Sequence, residues 1–296
     1  MRGPTTRPTF VADALARFGW QRADGDHGRG GYVLAHGAAS LEPHGDLAGW
    51  ELFALRGPGL SPCSRERWLH DNSRLEGPVK WVVVGEGPPI CRADIPNEWP
   101  TGGKGGLEDA APGAGASPWA AWASAVTAVA LGKSEGPAAA PLPVEALAHQ
   151  LQRAGWAVSV DDGQLHVHLQ MPDLYCQIAL EPCGATAVRV RATVAELGGV
   201  APPSRQAIVA FAHAANARLP LVRFAASGEK PSKELHAEVC LSVDCALVPG
   251  AWLAAAVEAV EAAAALTARE VQAMRDPELA KLVLAATRPM TPRKEE

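Results

Sequence analysis

The stretch Asn216-Ala217-Arg218-Leu219-Pro220-Leu221-Val222-Arg223-Phe224 decides how this chain is interpreted, because it has an earlier counterpart. The counterpart is Asn72-Ser73-Arg74-Leu75-Glu76-Gly77-Pro78-Val79-Lys80-Trp81, which is one residue longer. Upstream of each stretch, the apolar segments 11–20 and 147–156 both end in Gly-Trp. Two similar anchors in the same order, each near the same place in its half, indicate a duplicated domain.

Length and composition agree with two domains. A chain of 296 residues corresponds to about two domains of roughly 150 residues, and 48% hydrophobic residues can build a core in both halves. The net charge of −5 lacks the basic stripe that nucleic-acid binding needs, so we expect no nucleic-acid partner. The N-terminal residues form no apolar signal segment and no apolar run is long enough to span a membrane. We therefore expect a cytoplasmic protein without a membrane partner, whose six cysteines stay reduced.

The pattern predicts an α+β fold of two repeats, each an antiparallel sheet flanked by helices. We place the first repeat at residues 1–99, with a Gly/Ala/Pro-rich linker at 100–142. The linker contains a short helix at about 118–131 that belongs to the first repeat. The second repeat covers residues 143–288, and residues 289–296 form a tail.

The second half carries the clearer secondary-structure pattern. The predicted order is a helix at 143–155, four strands, a helix at 203–219, two strands and a long helix that begins near residue 249. In 165–169, Leu-His-Val-His-Leu, strict alternation predicts one buried face and one polar face. The first half shows two helices, at 9–18 and near 65–72. Its predicted strands are 32–35, 50–56 and 80–84.

This order of elements, together with residues 214–224, 235–241 and 252–257, resembles the type III secretion chaperone-like fold. That fold is shared by the Tir-chaperone family and the YbjN-type proteins, and the resemblance covers residues 143–287 directly. It implies a small protein that binds an extended segment of another protein, with no catalytic residues and no cofactor. Many proteins of this fold form homodimers, so a tandem chain could form the same pair within itself.

Segment capture suits antiparallel sheets because an edge strand offers unpaired N–H and C=O groups. Tryptophan is enriched at interface hot spots, so we predict Trp50, Trp68 and Trp81 as partner-binding residues. The last helix has an apolar seam at heptad spacing, and we add its residues Leu253, Val257 and Val260. The seam could instead face its own sheet. Asn72 and Asn216 are predicted to cap helices in the left-handed conformation.

Two other functions stay open at this stage. His166 and His168 project from one strand face, and a hairpin could bring Cys176 opposite them, which would build a metal-dependent site. The sequence nevertheless has no G-x-S-x-G elbow and no complete P-loop. The third hypothesis is a structural subunit whose terminal helix joins a larger complex. The identity of any partner cannot be derived from the sequence.

Overall fold

The computed structural model describes residues 9–23, 30–47, 50–61, 63, 67–75, 79–83, 88–96, 118–132, 144–171, 174–182, 187–227, 234–242 and 250–287. Within these residues the chain forms two six-stranded antiparallel sheets flanked by helices. This confirms the predicted α+β fold. The proposed tail 289–296 and most of the linker lie outside the described residues.

The elements of the first half are α1 (Thr9–Arg17), β1 (Trp20–Ala23), β2 (Gly31–Leu34), β3 (Ser40–Leu47), β4 (Trp50–Arg56), α2 (Trp68–Arg74), β5 (Val79–Val82), β6 (Ile90–Pro96) and α3 (Pro118–Leu131). The elements of the second half are α4 (Val144–Arg153), β7 (Ala157–Asp161), β8 (Gln164–Met171), β9 (Leu174–Pro182), β10 (Ala187–Glu196), α5 (Pro202–Arg218), β11 (Arg223–Ser227), β12 (Glu234–Ser242), α6 (Gly250–Ala273) and α7 (Pro277–Thr287).

The two sheets have the same topology. The strand order is β1-β2-β3-β4-β6-β5 in the first and β7-β8-β9-β10-β12-β11 in the second. In both sheets, the first four strands form a meander, and the sixth strand inserts between the fourth and the fifth. The sheets therefore present β1 and β5, and β7 and β11, as their edges.

The first sheet contains three strands, β1, β3 and β6, that the sequence pattern did not predict. In β3 the residues Pro43 and Gly45 disfavour a strand, but here they flank a register shift against β4. Such bulges accommodate residues that a regular ladder excludes. In β6 the alternating charged residues Arg92 and Asp94 conceal a strand whose residues 91–95 are all buried.

Both initial helices end shortly before a Gly-Trp sequence. Gly19 and Gly155 follow α1 and α4 with φ of 84° and 89°, a backbone conformation that glycine adopts without steric cost. The next residue, Trp20, is buried, and its indole N–H donates to the Thr127 hydroxyl at 2.7 Å. Trp156 is partly buried against the core of the second half. The bond from Trp20 attaches α3 to the first half.

The apolar seam of α6 packs on its own sheet, against β9, β10 and β12. Six seam residues of α6 are buried, as is Met274 directly after the helix: Leu253, Val257, Val260, Ala264, Thr267, Val271 and Met274. The helix ends at Ala273, and a separate helix, α7, begins at Pro277 and packs on α5. None of the helices among the described residues is long and apolar enough to cross a membrane.

Candidate protein-binding site

Asn72 and Asn216 each connect a helix to the edge strand that follows it. The Asn216 side-chain oxygen accepts the Phe224 N–H at 2.6 Å, and its amide nitrogen donates to the Phe224 carbonyl at 3.0 Å. Asn72 makes the same pair of bonds to Trp81, at 2.6 and 3.2 Å. The prediction of left-handed caps was wrong. Both residues lie within helices, and the positive-φ residues other than glycine in the described ranges are Asp162 and Leu221.

These amide bridges close one edge of each sheet. Trp81 and Phe224 are on the edge strands β5 and β11, and each gives both of its outward main-chain groups to an asparagine. The Asn72 amide also donates to the Phe224 carbonyl at 3.1 Å, which joins the two halves of the chain. Because an incoming strand needs those main-chain groups, β5 and β11 are poorly suited to strand addition.

The first half contributes a buried ionic cluster of Lys80, Arg92 and Asp94. The Lys80 ammonium lies 2.9 Å from the Asp94 carboxylate, and Arg92 holds the same carboxylate by two bonds of 2.6 and 3.1 Å. Both cations also donate hydrogen bonds to backbone carbonyls of the second half. Lys80 donates to the carbonyls of Leu219 and Val222, and Arg92 donates to the Ala217 carbonyl at 2.7 Å.

The second half contributes a buried ion pair of Arg223 and Glu238. Their side chains are 2.6 Å apart and almost fully buried. Arg223 also donates to the first half's Leu75 and Val79 carbonyls at 2.6 and 2.9 Å. Each half therefore uses a basic residue of its edge strand to bind the carbonyls that follow the other half's helix. Buried charges need such partners because their desolvation is costly.

Burial and charge shift the pKa values of Lys80, Asp94 and His236. Burial lowers the pKa of Lys80 to about 8, although the Asp94 carboxylate opposes that shift. Burial disfavours ionisation of Asp94, yet the charges and hydrogen bonds of Lys80 and Arg92 outweigh it and hold its pKa below the ordinary value. Burial, together with the Arg191 charge, lowers the pKa of His236 to about 4. His236 is therefore neutral at physiological pH.

An open groove, which we call the junction groove, lies where α2 and the end of β5 meet α5. It has a volume of about 360 Å³ and is lined by Trp68, Val83, Arg205, Gln206, Val209, Ala210 and His213. The rings of Trp68 and His213 lie 5.1 Å apart, centre to centre. Trp68 lines this groove but is only 3% exposed, so it forms the floor and offers little surface to a partner.

The outer edge of the second sheet is accessible. Within the residues that the structure describes, β7 pairs with β8 and with no other strand. Ala157, Val160 and Asp161 are exposed, and Val160 retains 49% of its accessible surface. Exposed valine on an edge strand is a feature that many proteins avoid because it invites a further strand.

The register of the β8–β9 hairpin does not assemble the predicted metal site. His166 pairs with Ala179 and His168 with Gln177, whereas Cys176 pairs with Leu169. Because side chains alternate along a strand, the Cys176 position belongs to the face opposite the histidines. His168 instead contacts the Ser159 hydroxyl at 2.6 Å. No group of three or more His, Cys, Asp or Glu in the described ranges is placed to hold a metal ion.

The other predicted partner-binding residues lie mostly inside the molecule. Trp81 is 8% exposed, and Leu253, Val257 and Val260 are fully buried against their own sheet. Trp50 is partly exposed on β4. The buried side chains fill the core of one chain because each sheet needs an apolar cover on its helix face. The open edge of β7 was not predicted, and its signals in the sequence are Val160 and the adjacent Asp161-Asp162-Gly163 turn.

Residues 143–273 match the model of the YbjN family, described as "Putative bacterial sensory transduction regulator". The match runs from the start of α4 to the end of α6, so the resemblance to YbjN-type proteins is confirmed for this part of the chain. No curated protein and no solved structure matches the chain.

Proposed function

We propose that the protein is a non-enzymatic adaptor that captures an extended segment of a partner protein along β7. One observation carries the proposal: β7 is an accessible edge, whereas Asn216 occupies the opposite edge of the same sheet. An extended segment would add to β7 through main-chain hydrogen bonds, and side-chain contacts would select its sequence. The similarity of residues 143–273 to a family of regulators supports a binding role.

The surface of β7 defines the chemistry of the segment. Val158 and Val160 pair with Val167 and Leu165 on the helix side of the sheet, so alternate residues of the segment should be apolar. Asp161 and Asp162 are exposed where the strand ends, so a lysine or arginine of the segment would be favoured there. The proposed ligand is therefore an extended segment of alternating apolar and polar residues that ends in a basic residue.

The test uses a fluorescent heptapeptide in which valine and threonine alternate, with a lysine at each end. A version with a central proline is the peptide control. Val160→Lys should weaken binding at least about tenfold, because a charged side chain on an edge strand opposes strand addition. Val160→Thr, which retains the β-branched shape, should stay within about threefold.

Amide exchange then locates the bound peptide. On binding, the amides of residues 157–161 should become protected. Protection at α5 and Trp68 without protection of β7 would show that the junction groove is the binding site and would refute strand capture. Equal affinity of wild-type protein and Val160→Lys would refute it as well.

We further infer that the halves are tandem copies of one module that form an internal counterpart of a homodimer. The identical strand order supports this, as do the reciprocal bonds of Lys80 and Arg223 to the other half's carbonyls. Light scattering on the purified protein should give the mass of one chain, 30.9 kDa. A stable mass of twice that value would contradict the inference.

A structural-subunit role has a separate observation in its favour. Leu266 on α6 and Leu282 on α7 are 64% and 67% exposed, and Leu279 lies three residues before Leu282. In this alternative the terminal helices join a larger complex through these leucines. Replacing all three with serine would then disperse a native complex, whereas strand capture by β7 would persist.

A further inference from the structure

The face of the second sheet that lies opposite its helices contains a polar cup of about 380 Å³. Its lining residues come from β8, β9 and β10: Gln164, His166, Gln177, Ala179, Glu181, Arg191 and Thr193. The cup is separate from the β7 edge and from the junction groove. Its volume falls in the range of small-molecule sites in proteins.

The cup exists because Ala179 is small. The register pairs Ala179 with His166 on one side and with Arg191 on the other, so their backbones are roughly 10 Å apart across the alanine. Gln177 and Glu181 stand two residues before and after Ala179 on the same strand and so share its face. The alanine is the floor, and four larger polar side chains surround it.

The cup contains one positive and one negative side chain, which form an ion pair. The Arg191 guanidinium and the Glu181 carboxylate are 2.6 Å apart at one side, and both side chains are partly exposed. His166 adds a buried Nδ1 atom that has no hydrogen-bond partner among the described residues. A buried polar atom without a partner is costly, and a ligand that supplies the partner recovers that cost.

We propose that the cup binds a small zwitterion of the amino-acid or dipeptide class. The ligand carboxylate would bind Arg191, whose planar guanidinium suits carboxylates, and the ammonium group would bind Glu181. A lone anion would offer no charge partner to Glu181, and a lone cation would offer none to Arg191. The described lining residues are Gln, His, Ala, Glu, Arg and Thr, so hydrogen bonds and charges would hold the ligand. The amide groups of Gln164 and Gln177 would bind the remaining polar atoms.

The experiment is calorimetric titration of the full-length protein with the common free amino acids and glycylglycine. The N-acetyl and carboxamide derivatives of the strongest binder serve as chemical controls. Each derivative lacks one charge, so each should bind roughly ten- to a hundredfold more weakly. An equal affinity for either derivative, or for a polyol, would overturn the zwitterion assignment.

Two matched variants test the location. Ala179→Leu fills the cup and should abolish binding, whereas Ala214→Leu adds the same bulk at an exposed position of α5, outside the cup lining, and should leave affinity unchanged. The His166 imidazole resonances of the wild-type protein should shift during the titration, a readout that does not depend on how the variants fold. Absence of binding for the whole panel, unperturbed His166 resonances or unchanged affinity of Ala179→Leu would overturn the proposal.

Discussion

Removing Asn72 and Asn216 together should destabilise the protein more than the sum of the two single changes. The reason is the Phe224 carbonyl, which accepts one hydrogen bond from each asparagine, at 3.1 and 3.0 Å. In either single alanine variant this carbonyl keeps one donor. In the double variant it loses both, although it lies inside the structure on a residue with no exposed surface.

The expected magnitudes follow from the orphaned groups. Asn216→Ala leaves the Phe224 N–H without its acceptor at 2.6 Å, and Asn72→Ala does the same to the Trp81 N–H. Each buried unsatisfied group costs about 1–3 kcal/mol, so each single variant should lose at least that amount. The double variant should lose about 1–2 kcal/mol more than the sum, because the carbonyl becomes unsatisfied as well.

Urea unfolding of the four proteins measures this coupling, with tryptophan fluorescence and far-UV circular dichroism as probes. The two probes must give coincident transitions for the free energies to be comparable. Gln206→Ala, an exposed amide on the same helix as Asn216, is the control and should change stability by less than about 0.5 kcal/mol. Additive losses from the two asparagine variants would refute the shared-carbonyl explanation.

Three further predictions concern stability. Arg223→Met should cost about 3–5 kcal/mol, because it leaves Glu238 buried without its 2.6 Å partner; the exposed counterpart Arg56→Met, which removes a surface ion pair with Glu42, should cost less than about 1 kcal/mol in the same urea assay. His236 has a folded-state pKa of about 4 against 6.5 when unperturbed, so the unfolded chain takes up the proton first, and the free energy of unfolding should fall by up to about 3 kcal/mol as the pH decreases through this interval. In His236→Gln this contribution to the pH dependence should disappear. If the urea midpoint of this variant falls between neutral pH and pH 5 as much as that of the wild type, the assignment is contradicted. Leu253→Ala should cost about 2–5 kcal/mol by leaving a cavity, without changing the mass measured by light scattering, because the seam of α6 packs within the chain.

The sequence predicted the elements whose apolar residues repeat with a regular period. Strand β8 and helix α6 are such elements, since Leu165, Val167 and the α6 seam face one core. The helix that precedes the last two strands of each half was also predictable from the repeated Asn-x-Arg-Leu segments. The prediction was weaker in the first half, where Pro43 and Gly45 interrupt β3 at a bulge.

The buried charges could not be recognised from sequence because their partners are distant along the chain. Arg92 binds the carbonyl of Ala217, 125 residues later, and Arg223 binds the carbonyl of Leu75, 148 residues earlier. A charged residue in an apolar strand ordinarily indicates a solvent-facing position. The role of Asn72 and Asn216 had a similar ambiguity, because an asparagine near a helix end can cap the helix or bind the next strand.

The amide bridges from Asn72 and Asn216 to β5 and β11 also restrict how copies of this protein could associate through their sheets. A growing filament requires each molecule to offer two different compatible edges, one for the preceding copy and one for the next. With one side of each sheet occupied internally, a sheet-to-sheet encounter in the second half is confined to β7 meeting β7. Such a contact is self-complementary and ends after two copies, so growth beyond a pair would have to use β1, the remaining edge of the first sheet.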